Sequence, residues 1–212
     1  MMHRAVVLYI GVAAVVIASF IGLTYLPNEQ LRGLEQVVDD MDRAWPVEPT
    51  GTVAIGREVY IDLGCLYCHS QQVRPEGFGA DIDRGWGSRR SVARDFMFDQ
   101  PPLLGTMRTG PDLASIAVRQ PSREWHYLHL YQPTLTSPGS TMAPFPFLFE
   151  RFDPDELRVG EGRDEPPDDA VRVPGPDGTE EGGYWIVPTD RARALVDYLL
   201  SLDQSYDVPE VP

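Results

Sequence analysis

The chain has only two cysteines, Cys65 and Cys68, placed three positions apart. A disulfide framework needs more cysteines at wider spacings, so that kind of scaffold is excluded. Basic charge is scarce too: 18 Lys and Arg stand against 32 Asp and Glu, leaving a net charge of −14. Nucleic-acid binding draws on a basic footprint, and this balance excludes it. An acidic surface suits basic protein partners and steers their approach, and it also keeps a domain soluble. No internal repeat is present. Long regular elements are not to be expected either, because 20 Pro and 19 Gly imply loops and short helices.

Charge is absent altogether from Ala5 to Leu26. A run of that length crosses a bilayer as one helix, which takes about 20 apolar residues. A cleaved signal peptide has a shorter apolar core of about 7–15 residues and a small-residue cleavage site, and this segment has neither. His3 and Arg4 precede the run, and Glu29, Glu35, Asp39, Asp40 and Asp42 follow it. The flanking cation places residues 1–4 in the cytoplasm by the positive-inside rule. The expected organisation is a single-pass anchor at 5–26 in the cytoplasmic (inner) membrane, a polar connector at 27–51, and an extracytoplasmic or periplasmic domain at 52–212.

Within that domain, Ile55, Val59 and Leu63 recur at helical spacing, which predicts an amphipathic helix leading into the cysteines. A second helix is predicted over Asp190–Leu202, with Thr189 as its N-cap and Ala192, Leu195, Leu199 and Leu202 on one face. The two are expected to pack across each other. Glu124–Tyr131 reads as a third helix. An acidic, Pro/Gly-rich stretch at about 152–183 reads as a surface insertion, with a hairpin around Pro176-Asp177-Gly178.

Cys65-Leu66-Tyr67-Cys68-His69 is a C-x-x-C-H sequence, the pattern of c-type haem attachment. Two thiols add to the two vinyl groups on one porphyrin edge, and the next residue, His69, supplies an axial nitrogen to the iron. A thioredoxin-like redox pair is the first alternative, but no βαβ pattern surrounds the motif. Half of a zinc site is the second, but there is no further cysteine pair, and only His126 and His129 remain to complete it. The other axial ligand lies among Met97, Met107, Met142, His126 and His129. Met142 is preferred: its loop, Ser140-Thr-Met-Ala-Pro-Phe-Pro, is stiffened by prolines, and a thioether opposite histidine suits electron transfer. A metal-bound histidine donates its second ring N–H to a carbonyl or carboxylate. The turn at Gly110-Pro111 is the expected source, through the Pro111 carbonyl. Arg108 is expected to pair with a haem propionate through its fork. Trp125 is expected near the haem edge, on the same helical face as His129.

At these residues the chain resembles a known family. The stretch from Gly56 through Cys65, Cys68 and His69 to Arg74-Pro75 is similar to the haem-binding segment of the mono-haem cytochrome c subunit (subunit II) of cbb₃-type cytochrome c oxidases. The similarity continues through Arg108–Ala114, Glu124–Pro133, Met142 with Pro146-Phe147-Leu148, Ile186–Thr189 and Ala194–Leu202. In this chain Ala143 stands between Met142 and Pro144, where the family usually has Pro directly after Met.

The resemblance implies an all-α, class I cytochrome c type domain on one transmembrane helix, carrying one covalently attached haem c with His69 and Met142 on the iron. It implies a non-catalytic electron-transfer subunit of the respiratory chain. Such a subunit accepts electrons from a di-haem cytochrome c subunit or a soluble cytochrome c, and passes them to a haem–copper catalytic subunit that reduces oxygen. Two alternatives stay open: the cytochrome c subunit of a nitric oxide reductase, and a free-standing anchored shuttle cytochrome. Arg74-Pro75 favours the oxidase over the first, and the Glu124–Tyr131 helix favours it over the second.

Overall fold

The structure is a computed structural model, and it describes residues 2–152, 165–175, 177–179 and 182–211. Helix α1 (Met2–Phe20) runs through a widened turn at Ile21–Tyr25 into α2 (Leu26–Arg32). Pro27 accounts for the widening. It has no N–H to donate, and its ring would strike the carbonyl four residues back, so the preceding residues take a π-helical turn. The helical run His3–Arg32 is long and apolar enough to cross a membrane, with a mean hydropathy of 2.6 and none of its most apolar stretch buried in protein. A helix apolar on every side without protein cover is what a bilayer accommodates.

Strands β1 (Val37–Val38) and β2 (Ala44–Trp45) pair antiparallel within the connector. Trp45 stacks on Tyr206 with ring centroids 5.2 Å apart. Val37, Val92, Val208 and Val211 complete a small apolar cluster that fastens the connector to the C-terminal segment.

The main core begins with α3 (Gly51–Asp62). It continues through α4 (Ile116–Arg119), α5 (Arg123–Tyr131) and α6 (Pro133–Thr136). Three strands follow, β3 (Phe149–Phe152), β4 (Val171–Val173) and β5 (Tyr184–Pro188), before α7 (Asp190–Leu199). The helix predicted before the cysteines starts earlier than its apolar spacing indicates, at Gly51, and the last helix stops at Leu199. Ser122 and Thr189 cap α5 and α7: their hydroxyls accept from the backbone N–H groups of Trp125 and Ala192, each satisfying a donor the helix itself leaves open.

Helices α3 and α7 pack directly on each other. At Gly56 they are so close that a Cβ would lie 1.8 Å from the Ala194 carbonyl oxygen. Only glycine permits that approach. Val59 and Tyr60 on α3 and Ala192, Leu195, Val196 and Tyr198 on α7 are buried at the contact. Each such aliphatic side chain contributes roughly 1.5–3 kcal/mol by leaving water.

The fold is not all-α, and that expectation is corrected here. The strands form an antiparallel sheet in the order β3-β5-β4, with Phe149 opposite Pro188 and Val173 opposite Tyr184. The physical reason lies in the side chains: Val171, Val173 and Ile186 are buried while Arg172 is not, and β-branched and aromatic residues suit a half-buried pleated surface. The sheet packs against α5 and α7. The hairpin expected around Pro176 falls partly outside the described residues. On either side of it β4 and β5 pair antiparallel, and Gly178 N–H donates to the Gly175 carbonyl at 2.9 Å.

Candidate functional site

The cysteine motif sits just past the end of α3. Cys65–Tyr67 form a single 3₁₀ turn, and the N–H groups of Cys68 and His69 both donate to the Cys65 carbonyl, at 3.1 and 2.9 Å. Neither cysteine is in a disulfide; Cys65 is half-buried and Cys68 exposed. Burial pushes the free Cys65 thiol up to about 11. A disulfide-exchange pair needs the opposite, a thiol of depressed pKa.

The segment after the motif is zipped onto residues 104–114. Gly110 N–H donates to Cys68 O at 2.9 Å, Leu113 N–H to Ser70 O at 2.8 Å, and Thr106 N–H to Leu66 O at 3.0 Å. Gly110 lies flat against the imidazole, and a Cβ there would be 2.3 Å from His69 Cε1. His69 Nδ1 is 2.8 Å from the Pro111 carbonyl oxygen. A carbonyl only accepts, so Nδ1 carries the proton and Nε2 keeps its lone pair. Burial lowers the His69 pKa, against the pull of the Pro111 hydrogen bond, which favours the neutral ring that ligates metals.

His69 faces a cleft lined almost wholly by apolar and aromatic side chains, the kind of lining that cofactor sites use. Its walls are Tyr60 from α3, Pro111 and Leu113 from the zipped segment, Ile116 from α4, and Leu195 and Leu199 from α7. Cys65, Met142 and, from α5, Trp125, His126 and His129 also line it. The sequence-predicted residues Cys65, His69, Pro111, Trp125 and Met142 are thus brought together. The other methionine candidates are not. Met107 is 62% exposed, and Met97 lines grooves elsewhere.

The two other histidines differ. His126 Nε2 donates to the Gln120 carbonyl at 2.9 Å, which removes that nitrogen from ligation. His129 Nδ1 is 2.6 Å from Thr136 Oγ1, and its ring stacks on Trp125 with centroids 4.6 Å apart. Burial, with the neighbouring His126 and His69, drops the His129 pKa to about 4, so it stays neutral in ordinary conditions. Among the described residues, no group of three or more His, Cys, Asp or Glu side chains is placed to hold a bare metal ion.

Arg108 is not brought to the cleft wall. Its Nη1 donates to both Asp81 oxygens at 2.8 and 2.7 Å, its Nε to Ser70 Oγ at 2.8 Å, and its Nη2 to the Gln72 carbonyl. Asp81 is wholly buried and is also paired with Arg74. Burial works against its charged form, but the hydrogen bonds from Arg74 and Arg108 outweigh it and hold the carboxyl at about 2.

Sequence reasoning missed a different cation, Arg119. It ends α4, the helix that begins with Ile116 of the cleft wall, and its Nη2 donates to the Asp112 carbonyl. Its buried Nε has no partner. Burial lowers its pKa, and the Asp112 carboxylate offsets this only in part. Arg119 as a whole is half-buried, and its unpartnered Nε–H is open to one more acceptor, for which an anion is the strongest choice. The Tyr60 hydroxyl, wholly buried beside Gln71, likewise lacks a well-aligned partner.

These features fit a haem. The walls are apolar, and a neutral imidazole and a thioether supply the donor pair of a cytochrome c. The Cys65 thiol lines the cleft, with the exposed Cys68 three positions on. The unpartnered Tyr60 hydroxyl on the wall is available to a polar group at the macrocycle edge, and Arg119 lies near enough to His69 to act on it electrostatically.

Comparison with known families agrees, and places the chain in the class of mono-haem subunits of cytochrome c oxidases. Residues 1–159 match the family described as cytochrome c oxidase, mono-haem subunit/FixO, and the chain belongs to that family. It is accordingly the mono-haem cytochrome c subunit of a cbb₃-type oxidase, and its N-terminal apolar helix fits a membrane anchor. The match spans the anchor, the cysteine motif, the zipped segment, α5 and Met142. No curated protein matches the chain.

Proposed function

We propose that this chain relays single electrons to the haem–copper catalytic subunit of the oxidase through one haem c, attached by thioether bonds to Cys65 and Cys68 within a class I cytochrome c type domain. Its donor is a di-haem cytochrome c subunit or a soluble cytochrome c. The anchor holds the N-terminus in the cytoplasm and the domain in the periplasm. The chain itself does not reduce oxygen.

One observation carries this reading: His69, with its Nε2 lone pair free, and Met142 line the same apolar cleft beside Cys65. Haem iron, when bound, supplies a one-electron couple whose potential is raised by a thioether opposite an imidazole. The residues of the chain do the rest. His69 and Met142 would be the two side chains that hold the iron. Pro111 holds the imidazole by its Nδ1–H and raises its basicity. Leu113, Ile116, Leu195 and Leu199 exclude water. Trp125, stacked on His129, offers an aromatic edge to the cofactor. Arg119 is the cation for a propionate, while Arg108 stays with Asp81.

The test is haem staining of the denatured chain after electrophoresis. Covalent attachment predicts stain retained in the wild type and lost in Cys65→Ser/Cys68→Ser. Haem released from the denatured wild type would overturn the attachment.

A further inference from the structure

The wholly buried carboxylate of Asp112 lies one residue beyond the carbonyl that holds His69. Its Oδ2 accepts from Ser70 Oγ at 2.5 Å and from Gln72 N–H at 2.8 Å, and its Oδ1 accepts from Ala114 N–H at 2.8 Å. Arg108 Nη2 stands 3.6 Å from Oδ2 and ties the group to the Asp81–Arg74 pair. Ser70 is the residue after His69. The side chain therefore cross-links the two segments that the backbone bonds Gly110–Cys68 and Leu113–Ser70 also join. The Arg108 side chain also joins these segments, through Ser70 Oγ and the Gln72 carbonyl, but Asp112 is the residue that shares a peptide bond with Pro111.

We infer that Asp112 is a positioning residue for the axial histidine: it pins the Pro111 carbonyl on His69 Nδ1–H and thereby sets the donor strength of His69 and the reduction potential of the haem. This rests on the haem reading above. The physical link is the partner of the metal-bound ring. A tight Nδ1–H···O=C bond makes imidazole a better donor and favours the oxidised iron. If the carbonyl is free to drift, the ring donates less and the reduced iron gains.

The experiment is a redox titration of full-length, haem-loaded protein in detergent, for wild type, Asp112→Asn and Ser70→Ala, with NMR measurement of His69 Nδ1–H exchange with solvent. Asparagine keeps the size but cannot accept all three hydrogen bonds. Ser70→Ala removes one donor and leaves the carboxylate. Partners of metal-bound groups are typically worth 10–100-fold. Asp112→Asn is expected to raise the reduced-to-oxidised ratio at a fixed ambient potential by about tenfold, which is about 59 mV for a one-electron couple. Faster Nδ1–H exchange is expected with it, and Ser70→Ala should move both readouts less, in the same direction. Mere loss of stability would move neither in the folded, loaded protein. Unchanged potential and exchange in loaded Asp112→Asn would overturn the inference. If that variant loads no haem, the same readouts on Ser70→Ala decide, and no change there overturns it. The haem content and His/Met spectrum of the wild type report separately on the underlying haem reading.

Discussion

Gly56→Ala tests the helix contact on which the cleft is built. The added methyl would sit 1.8 Å from the Ala194 carbonyl oxygen, 2.5 Å from its carbonyl carbon and 2.8 Å from Tyr198 Cβ. Two of these are backbone atoms, so no rotamer change relieves the clash, and α3 and α7 must part by about 1.5 Å to restore contact distance. Overpacking of this kind costs about 1–3 kcal/mol, and a rigid backbone neighbour argues for the top of that range. Replacing glycine inside a helix returns about 1 kcal/mol. The net cost is then about 2 kcal/mol, or a Tm lower by about 4–8 °C for a domain of this size. The assay is thermal unfolding of the haem-loaded, detergent-solubilised chain, followed by far-UV circular dichroism. Gly33→Ala is the control, because a Cβ there meets nothing closer than 3.7 Å; its Tm should barely move. Separation should also loosen Tyr60, Leu195 and Leu199 on the cleft wall and broaden the haem absorption bands. A Tm equal to or above the wild type's would refute the close-contact argument.

Three other outcomes are expected. Met142→Ala should lower the reduction potential by about 59 mV or more, a tenfold change in the one-electron equilibrium; an unchanged midpoint in a redox titration would remove Met142 from the iron. Arg119→Leu should destabilise the haem-loaded chain by roughly 1.5–3 kcal/mol, the scale of a charge-assisted hydrogen bond. The haem-free chain should lose nothing, and equal losses in denaturant titrations of both would count against an anion at Arg119. The third concerns acid. Asp81 has a carboxyl held at about 2 against an ordinary 3.8. A depressed folded pKa contributes stability above the unfolded value and loses it as pH falls through the folded one. Stability should therefore drop between about pH 4 and pH 2, and Asp81→Asn should flatten that drop in acid-unfolding curves.

The parts legible from sequence are those governed by local periodicity and short-range chemistry. Helices α3 and α7 follow from apolar spacing, and α7 also from a cap at Thr189 that needs only a residue three positions on; the Ser122 cap of α5 came from the structure. The Pro111 carbonyl was predictable because a histidine ligand requires a partner and a Gly-Pro turn exposes one. The sheet was not legible. Val171–Val173 is three residues long and embedded in an acidic Pro/Gly stretch, and its burial depends on α5, distant in sequence. Arg108 and Arg119 show the same limit. Both are arginines beside one turn, and what separates them is Asp81, 27 residues away from Arg108. Arg119 had only its place at the end of α4 to mark it, and the lack of a partner for its Nε emerges only from the packed fold.

The central claim is that this chain carries electrons into an oxygen-reducing assembly through the haem held by His69. It is tested most directly by oxygen uptake of the native assembly, purified through a tag on this chain and supplied with reduced cytochrome c. The account predicts cyanide-sensitive uptake, abolished when the assembly carries His69→Ala. An intact, haem-loaded assembly that takes up no oxygen, or one whose uptake survives His69→Ala, would contradict it.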